Sequence, residues 1–138
     1  MKVTRRDTMA IGGAAVISTL IPSISVASTN ELIMGITGGA DAAASGIDLT
    51  APEIAENGNT VPISVDAPGA VAVTILAAGN PLPGVATFNF GDGSGSQSAT
   101  TRIRLAGTQD VIAVAKMADG SFAAVSKTVK VTIGGCGG

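Results

Sequence analysis

The last five residues of the chain are Gly134-Gly135-Cys136-Gly137-Gly138, and the single side chain with chemistry among them is the chain's one thiol. A thiolate is a nucleophile and a soft ligand, so the chemistry open to Cys136 is covalent attachment, disulfide formation or metal binding. Glycines on both sides remove every neighbouring Cβ and leave the backbone its widest freedom, so this tail is expected to stay mobile and not to dock on the domain. Three extended residues carry Cys136 ~10 Å past Ile133. A segment this slender can enter a narrow channel that ordinary side chains would block. The pattern fits a thiol held out for another protein to work on.

Other readings of Cys136 compete. A buried, inert cysteine sits poorly with four flanking glycines. An intermolecular disulfide is open to an exported chain. Prenylation needs three residues after the cysteine, and only two follow. A metal-binding module would draw on Met34, Met117 and Cys136 alone, a thin set of soft ligands. A Gly-Gly end is also the mark of ubiquitin-like sulfur carriers, but those need ATP-dependent activation in the cytoplasm and a β-grasp fold with a real helix. Carrier thiol and disulfide tether both remain. In either case the thiol is unexcited by its own surroundings, because no nearby cation, metal or helix N-terminus lowers its pKa. With a reference pKa of ~8.5, a few per cent is thiolate near neutrality, so activation falls to a partner.

Composition removes most enzyme classes. The 138 residues include no His, so a Ser-His-Asp triad or Cys-His dyad cannot form, and the commonest metal ligand is missing. Aromatic residues are limited to Phe88, Phe90 and Phe122. A net charge of −2 gives no electrostatic footing for nucleic acid. One cysteine excludes an internal disulfide. The length suits one domain with one core. No cofactor is called for.

Residues 1–27 are expected to be a leader. Lys2, Arg5 and Arg6 are followed by an apolar, small-residue run from Met9 to Ile21, and Ser25-Val26-Ala27 fits a small-x-small cleavage site, which places the cut after Ala27. Thr4-Arg5-Arg6-Asp7-Thr8-Met9 resembles a twin-arginine signal, the mark of export in the folded state, with Thr8 where Phe is usual. An ordinary secretory signal or an uncleaved anchor is the alternative, and each takes the chain out of the cytoplasm. No cysteine follows the cut to make a lipoprotein, and no later run approaches the ~20 apolar residues of a membrane span. Cleavage leaves 5 basic against 9 acidic residues, a net −4 that favours solubility.

The elements that must carry the thiol read as strands. From Ile47 onward, β-branched runs alternate with Gly, Asn, Asp and Pro clusters, giving expected strands near 47–55, 60–66, 70–78, 85–90, 99–105, 110–118 and 121–133. Asn57-Gly58-Asn59 and Asp119-Gly120 offer the positive-φ positions of tight hairpins. Pro81 and Pro83 break the chain before the fourth strand, and Gly91–Ser96 forms a loop. Ile103 and Leu105 share one face, with Arg102 and Arg104 on the other. Val125, Lys127, Val129, Val131 and Ile133 share one parity, and Lys127 belongs near a rim. Before these strands, Glu31 to Ile36 has room for a turn or two of helix, limited by Gly35, Gly38 and Gly39. About seven short strands predict an all-β, immunoglobulin-like sandwich over 28–133, followed by a carrier arm over 134–138. An open barrel is the weaker alternative, and no internal repeat or second domain is evident.

These stretches also resemble the SoxY family of sulfur-carrier proteins. The likeness rests on residues 55–63, on Val85-Ala86-Thr87-Phe88, on residues 101–106, on Met117-Ala118-Asp119-Gly120-Ser121-Phe122 and on the terminal Gly134–Gly138. It spans almost the whole mature domain, and the terminal motif is highly specific. The resemblance implies a periplasmic chain exported folded with a heterodimer partner, SoxZ. It implies that SoxAX, a c-type cytochrome complex, joins thiosulfate oxidatively to the Cys136 sulfur. SoxB, a manganese-dependent hydrolase, then releases sulfate and leaves a persulfide, which SoxCD oxidises further. The chain itself would catalyse nothing. The alternative is an exported structural or interaction domain dimerised through a terminal disulfide.

Overall fold

Val61, Ile63 and Val65 are buried while Pro62 and Asp66 between and beyond them are exposed, the two-residue period of a strand with one face on a core. Repeated along the chain, that pattern builds two facing sheets in the computed structural model, which describes residues 24–134, with side chains from Thr29 onward. The strands are β1 (Ala42–Ala43), β2 (Asp48–Thr50), β3 (Ile54–Ala55), β4 (Val61–Asp66), β5 (Ala70–Ala77), β6 (Gly84–Asn89), β7 (Ser98–Ile103), β8 (Gln109–Met117) and β9 (Phe122–Val131). One sheet runs β1-β9-β8-β5-β6, with β3 also pairing to β9, and the other runs β2-β4-β7. Pairing is antiparallel except for β1 and β3, which lie parallel to β9. The arrangement is an immunoglobulin-like sandwich.

The core lies between the sheets. Ile47, Leu49, Val61, Ile63, Val65, Ile103 and Leu105 meet Val73, Ile75, Val111, Ala113, Ala115 and Val129. Alanines at 113, 115 and 123 let the sheets approach around the branched residues in a core without a fully buried aromatic.

A helix, α1 (Ile24–Thr37), precedes the strands, longer than the turn or two expected from Glu31 to Ile36. It runs through Gly35 and stops at Gly38, which takes φ 65° while its amide donates to the Met34 carbonyl at 2.8 Å, a helix C-terminus of the kind glycine favours. Tertiary contact overrides the weak propensity of Gly35, since α1 lies against β8 and Leu32 reaches Gly84. Leu76 and Val114, each 1% exposed, sit on the outward parity of β5 and β8, away from the inter-sheet core, where such cover is needed.

Three other expectations need correction. The run 47–55 is two strands, β2 and β3, split at Ala51-Pro52-Glu53, and each joins a different sheet. Proline lacks the amide needed to continue a ladder, so the chain crosses over there. Asn57-Gly58-Asn59 is not a hairpin: it connects β3 to β4 across the sandwich, and Gly58 is not among the positive-φ glycines. Its bend is instead closed by the Asn57 side chain, whose Oδ1 accepts from the Asn59 amide at 3.0 Å. The last strand ends at Val131, two residues early, because Thr132 and Ile133 leave β8 and bond to the 55–58 segment. The Asp119-Gly120 hairpin stands as read, with Gly120 at φ 86°. Lys127 is exposed on the stretch of β9 between the positions that pair with β1 and β3, so the rim placement holds.

Candidate functional site

Strand direction decides which end of the sandwich bears the C-terminus. β9 ends beside the last residues of β3, β5 and β7 and the first of β4 and β8, as the pairs Ala55–Val131, Ala77–Val111, Gln109–Val129 and Val61–Ile103 show. The connections 56–60, 78–83 and 104–108 therefore gather around the chain's exit. Cys136, with Gly135, Gly137 and Gly138, lies outside the described residues, as does the leader before Ile24. Gly134 and the root of the arm are described.

The root is bonded on two sides. The Thr132 amide donates to the Ala55 carbonyl at 3.0 Å, and its hydroxyl donates to the Glu56 carbonyl at 3.2 Å. The Ile133 carbonyl accepts from Gly58 at 2.8 Å. Across the exit, Thr108 stands in for a ladder residue. Its Oγ1 accepts from the Val131 amide at 3.0 Å and donates to the Val131 carbonyl at 3.4 Å.

The 104–108 loop is braced by two amide side chains. Asn80 Nδ2 donates to the Arg104 carbonyl at 2.8 Å, and Asn80 Oδ1 accepts from the Ala106 amide at 3.0 Å. Gln109, 8% exposed, donates from Nε2 to Asn80 Oδ1 at 2.9 Å and to the Gly107 carbonyl at 3.1 Å, while its Oε1 accepts from the Gly79 amide at 2.8 Å. Every amide atom of Gln109 is thus used, as burial of a polar group requires. The close approach explains Gly79, where a Cβ would fall 2.9 Å from Gln109 Cβ. Sequence reasoning missed Asn80, Thr108 and Gln109. The available signal was Gln109 itself, a polar residue at the inward parity of Val111, Ala113 and Ala115.

Gly134 touches this brace. A Cβ built on it would lie 2.5 Å from the Ala106 carbonyl oxygen, closer than real Cβ atoms come. Its glycine is required by that contact and not by a positive φ. Ile133 beside it is 68% exposed, and Leu82 and Ile54 are also exposed at this end or near it. Among the described residues, no group of three His, Cys, Asp or Glu side chains comes together to hold a metal ion. A cleft of about 180 Å³ lined by Val71, Phe90, Asp92 and Gln97 lies at the other end of the sandwich, roughly 25 Å away along β5.

Fold and root together define an immunoglobulin-like domain whose last strand leads to Gly134 at one braced end. The family model for the sulfur oxidation protein SoxY matches residues 33–136, a span that closes on the cysteine, and the chain belongs to that family. Among solved structures it is similar to the sulfur carrier protein SoxY from Chlorobium limicola f thiosulfatophilum, with 31% identity and a TM-score of 0.67 over 78% of this chain and 98% of that one. A single-substitution variant of a superoxide reductase (neelaredoxin) from Ignicoccus hospitalis shares the fold alone, at 16% identity and a TM-score of 0.56 over 64% of this chain and 82% of that one. So does a putative superoxide reductase from Thermotoga maritima, at 17% identity and a TM-score of 0.52 over 62% and 84%. No curated protein matches.

Proposed function

We propose that this chain carries sulfur intermediates covalently on Cys136 during thiosulfate oxidation and presents them to partner enzymes, without catalysing a step itself. The observation behind this reading is the SoxY-family match across residues 33–136, which takes in the chain's one cysteine. The 31%-identical Chlorobium protein is itself a sulfur carrier. The chemistry follows from the thiol. Cys136 thiolate and thiosulfate join through a new S–S bond, and the two electrons released pass to the c-type cytochromes of SoxAX. Hydrolysis by SoxB breaks the bond between the sulfane and sulfone sulfurs, water supplying the fourth oxygen of the sulfate that leaves, and the Cys136–sulfane bond remains as a persulfide, a known state of cysteine. SoxCD would oxidise the remaining sulfane sulfur.

Gly134, Gly135, Gly137 and Gly138 serve as the carrier arm in this reading. The chain works in the periplasm after a twin-arginine leader over residues 1–27 is removed, with SoxZ as heterodimer partner. Among the described residues no helix is long and apolar enough to cross a membrane. Two sheets with open outer strands, β6 in one and β2 and β7 in the other, offer edges that a partner would cover. Co-expression with SoxZ should then give a stable heterodimer, and a well-behaved monomer without affinity for SoxZ overturns that assignment.

Intact mass of the exported protein, before and after reductant, tests the carriage. Part of the protein from sulfur-oxidising cells should carry reducible adducts of sulfane-sulfur or thiosulfonate mass, all mapped to Cys136. Cys136→Ser should keep the fold and lose the adducts and thiosulfate-dependent activity. Full activity of that variant sinks the carrier reading, and a disulfide-linked dimer as the one reducible species favours the tether.

A further inference from the structure

The five terminal residues look uniform in sequence, yet Gly134 differs from what the motif alone suggests. Its Cβ position is filled by the Ala106 carbonyl, 2.5 Å away. That carbonyl cannot retreat cheaply. The Ala106 amide is held by Asn80 Oδ1 at 3.0 Å, the Arg104 and Gly107 carbonyls are held by Asn80 Nδ2 and Gln109 Nε2, and Leu105 donates to the Gly58 carbonyl at 2.7 Å. From the opposite side, Gly58 holds the Ile133 carbonyl at 2.8 Å. The backbone is therefore pinned up to the residue before Gly134, and Gly134 lies flat against a braced loop.

Building on the carrier reading, we infer that Asn80 is a positioning residue that aims the arm. Through Ala106 it fixes the direction in which the chain leaves at Gly134. The point and direction from which the terminal residues start are then set at Gly134. A fixed origin raises the local concentration of the thiol where a docked enzyme waits. Glycine at 134 thus permits a close contact with the Ala106 carbonyl, a task that the motif alone does not announce.

The test measures direction without using sulfur chemistry. In the exported full chain carrying Ser126→Cys, nitroxide labels on residue 126 and on Cys136 report a distance distribution by pulsed electron resonance. Asn80→Ala should broaden that distribution, and Gly134→Ala should displace its centre, while Gly135→Ala leaves the centre in place. Ile63→Val, a core change that lowers stability without touching the loop, should leave the distribution as in the wild type. In unlabelled proteins, reaction of Cys136 with a small thiol reagent should be unchanged throughout, while partner-enzyme turnover of Asn80→Ala falls about tenfold, the scale on which lost pre-orientation acts. If Gly134→Ala does not fold, Asn80→Ala carries the test. An unchanged distribution in Asn80→Ala overturns the inference, and so does equal broadening in Ile63→Val. Failure of the carrier reading shows elsewhere, as full activity of Cys136→Ser, and leaves the label measurement standing.

Discussion

The amide of Gly58 donates to the carbonyl of Ile133 across 2.8 Å, while the Gly58 carbonyl accepts from Leu105 across 2.7 Å. One buried glycine thus links the end of β9 to the loop after β7, two segments that no ladder joins. The connection matters because β9 is the last strand, and this bond extends by one residue the ties that Thr132 makes to the Ala55 and Glu56 carbonyls. The last described residues of the chain are thus held by this corner and not by the core.

Hydrogen exchange checks the corner directly. The amides of Gly58, Leu105, Thr132 and Ala106 all have acceptors, so each should exchange about 10²-fold more slowly than an open chain, for an opening free energy of ~3 kcal/mol. Exchange of Gly58 and Thr132 at open-chain rates would show that the exit is frayed in solution.

Gln109 should be the costliest polar residue to replace at this end. Gln109→Leu keeps the volume but strips partners from the Gly79 amide, Asn80 Oδ1 and the Gly107 carbonyl. The expected loss is about 2 kcal/mol, or roughly 6–10 °C in Tm for a domain of this size. Gln109→Glu should be no better, because a carboxylate accepts from Gly79 but cannot donate to the other two. Thermal unfolding that matches the wild type in both variants would show that the brace is dispensable.

Much of this was legible in the sequence, and the misses share a cause. Two-residue periodicity in 61–66, 70–77 and 101–105 reports burial of one face, so strands and core followed from it. What the period does not report is where the chain changes sheets. Residues 47–55 keep a strand-like composition through the Pro52 crossover, and Asn57-Gly58-Asn59 has hairpin composition while serving as an inter-sheet link. Helix α1 is longer than expected because Gly35 lowers local propensity, whereas β8 and Gly84, far away in sequence, supply the contacts that order it. At the site, the glycine-cysteine motif stood out at once. The brace did not, since Asn80 and Gln109 acquire their meaning from partners some 25 to 30 residues distant.

The Asp119 carboxylate is held below the ordinary aspartate value, chiefly by the Ser121 hydroxyl at 2.6 Å and then by the Ser121 amide at 2.9 Å. A depressed folded-state pKa means that this turn's stabilisation is complete above the ordinary carboxylate pKa and is lost as pH falls through the folded-state value. A carboxyl titration followed by NMR should place Asp119 below a model aspartate, and Ser121→Ala should move its midpoint up. An ordinary midpoint in the wild type would contradict the hydrogen-bond geometry.

Bulk beside the thiol separates a carrier from a tether. Gly135 and Gly137 lie past the braced root, so Val at either position adds volume and restricts the backbone without touching the core. Tm should change by less than about 0.5 kcal/mol's worth of stability, the usual range for substitutions away from packed features. Cys136 should react with a small thiol reagent near the wild-type rate, because such a reagent needs no channel. Partner enzymes with buried active sites must admit the arm itself, so their turnover should drop sharply, more for Gly135→Val with Gly137→Val together than for either alone. A disulfide tether makes the opposite forecast, with crosslinking and function nearly intact, since two exposed thiols meet without threading anything. If the double variant supports thiosulfate oxidation at the wild-type rate, slenderness is not what the four glycines are for, whatever Cys136 carries.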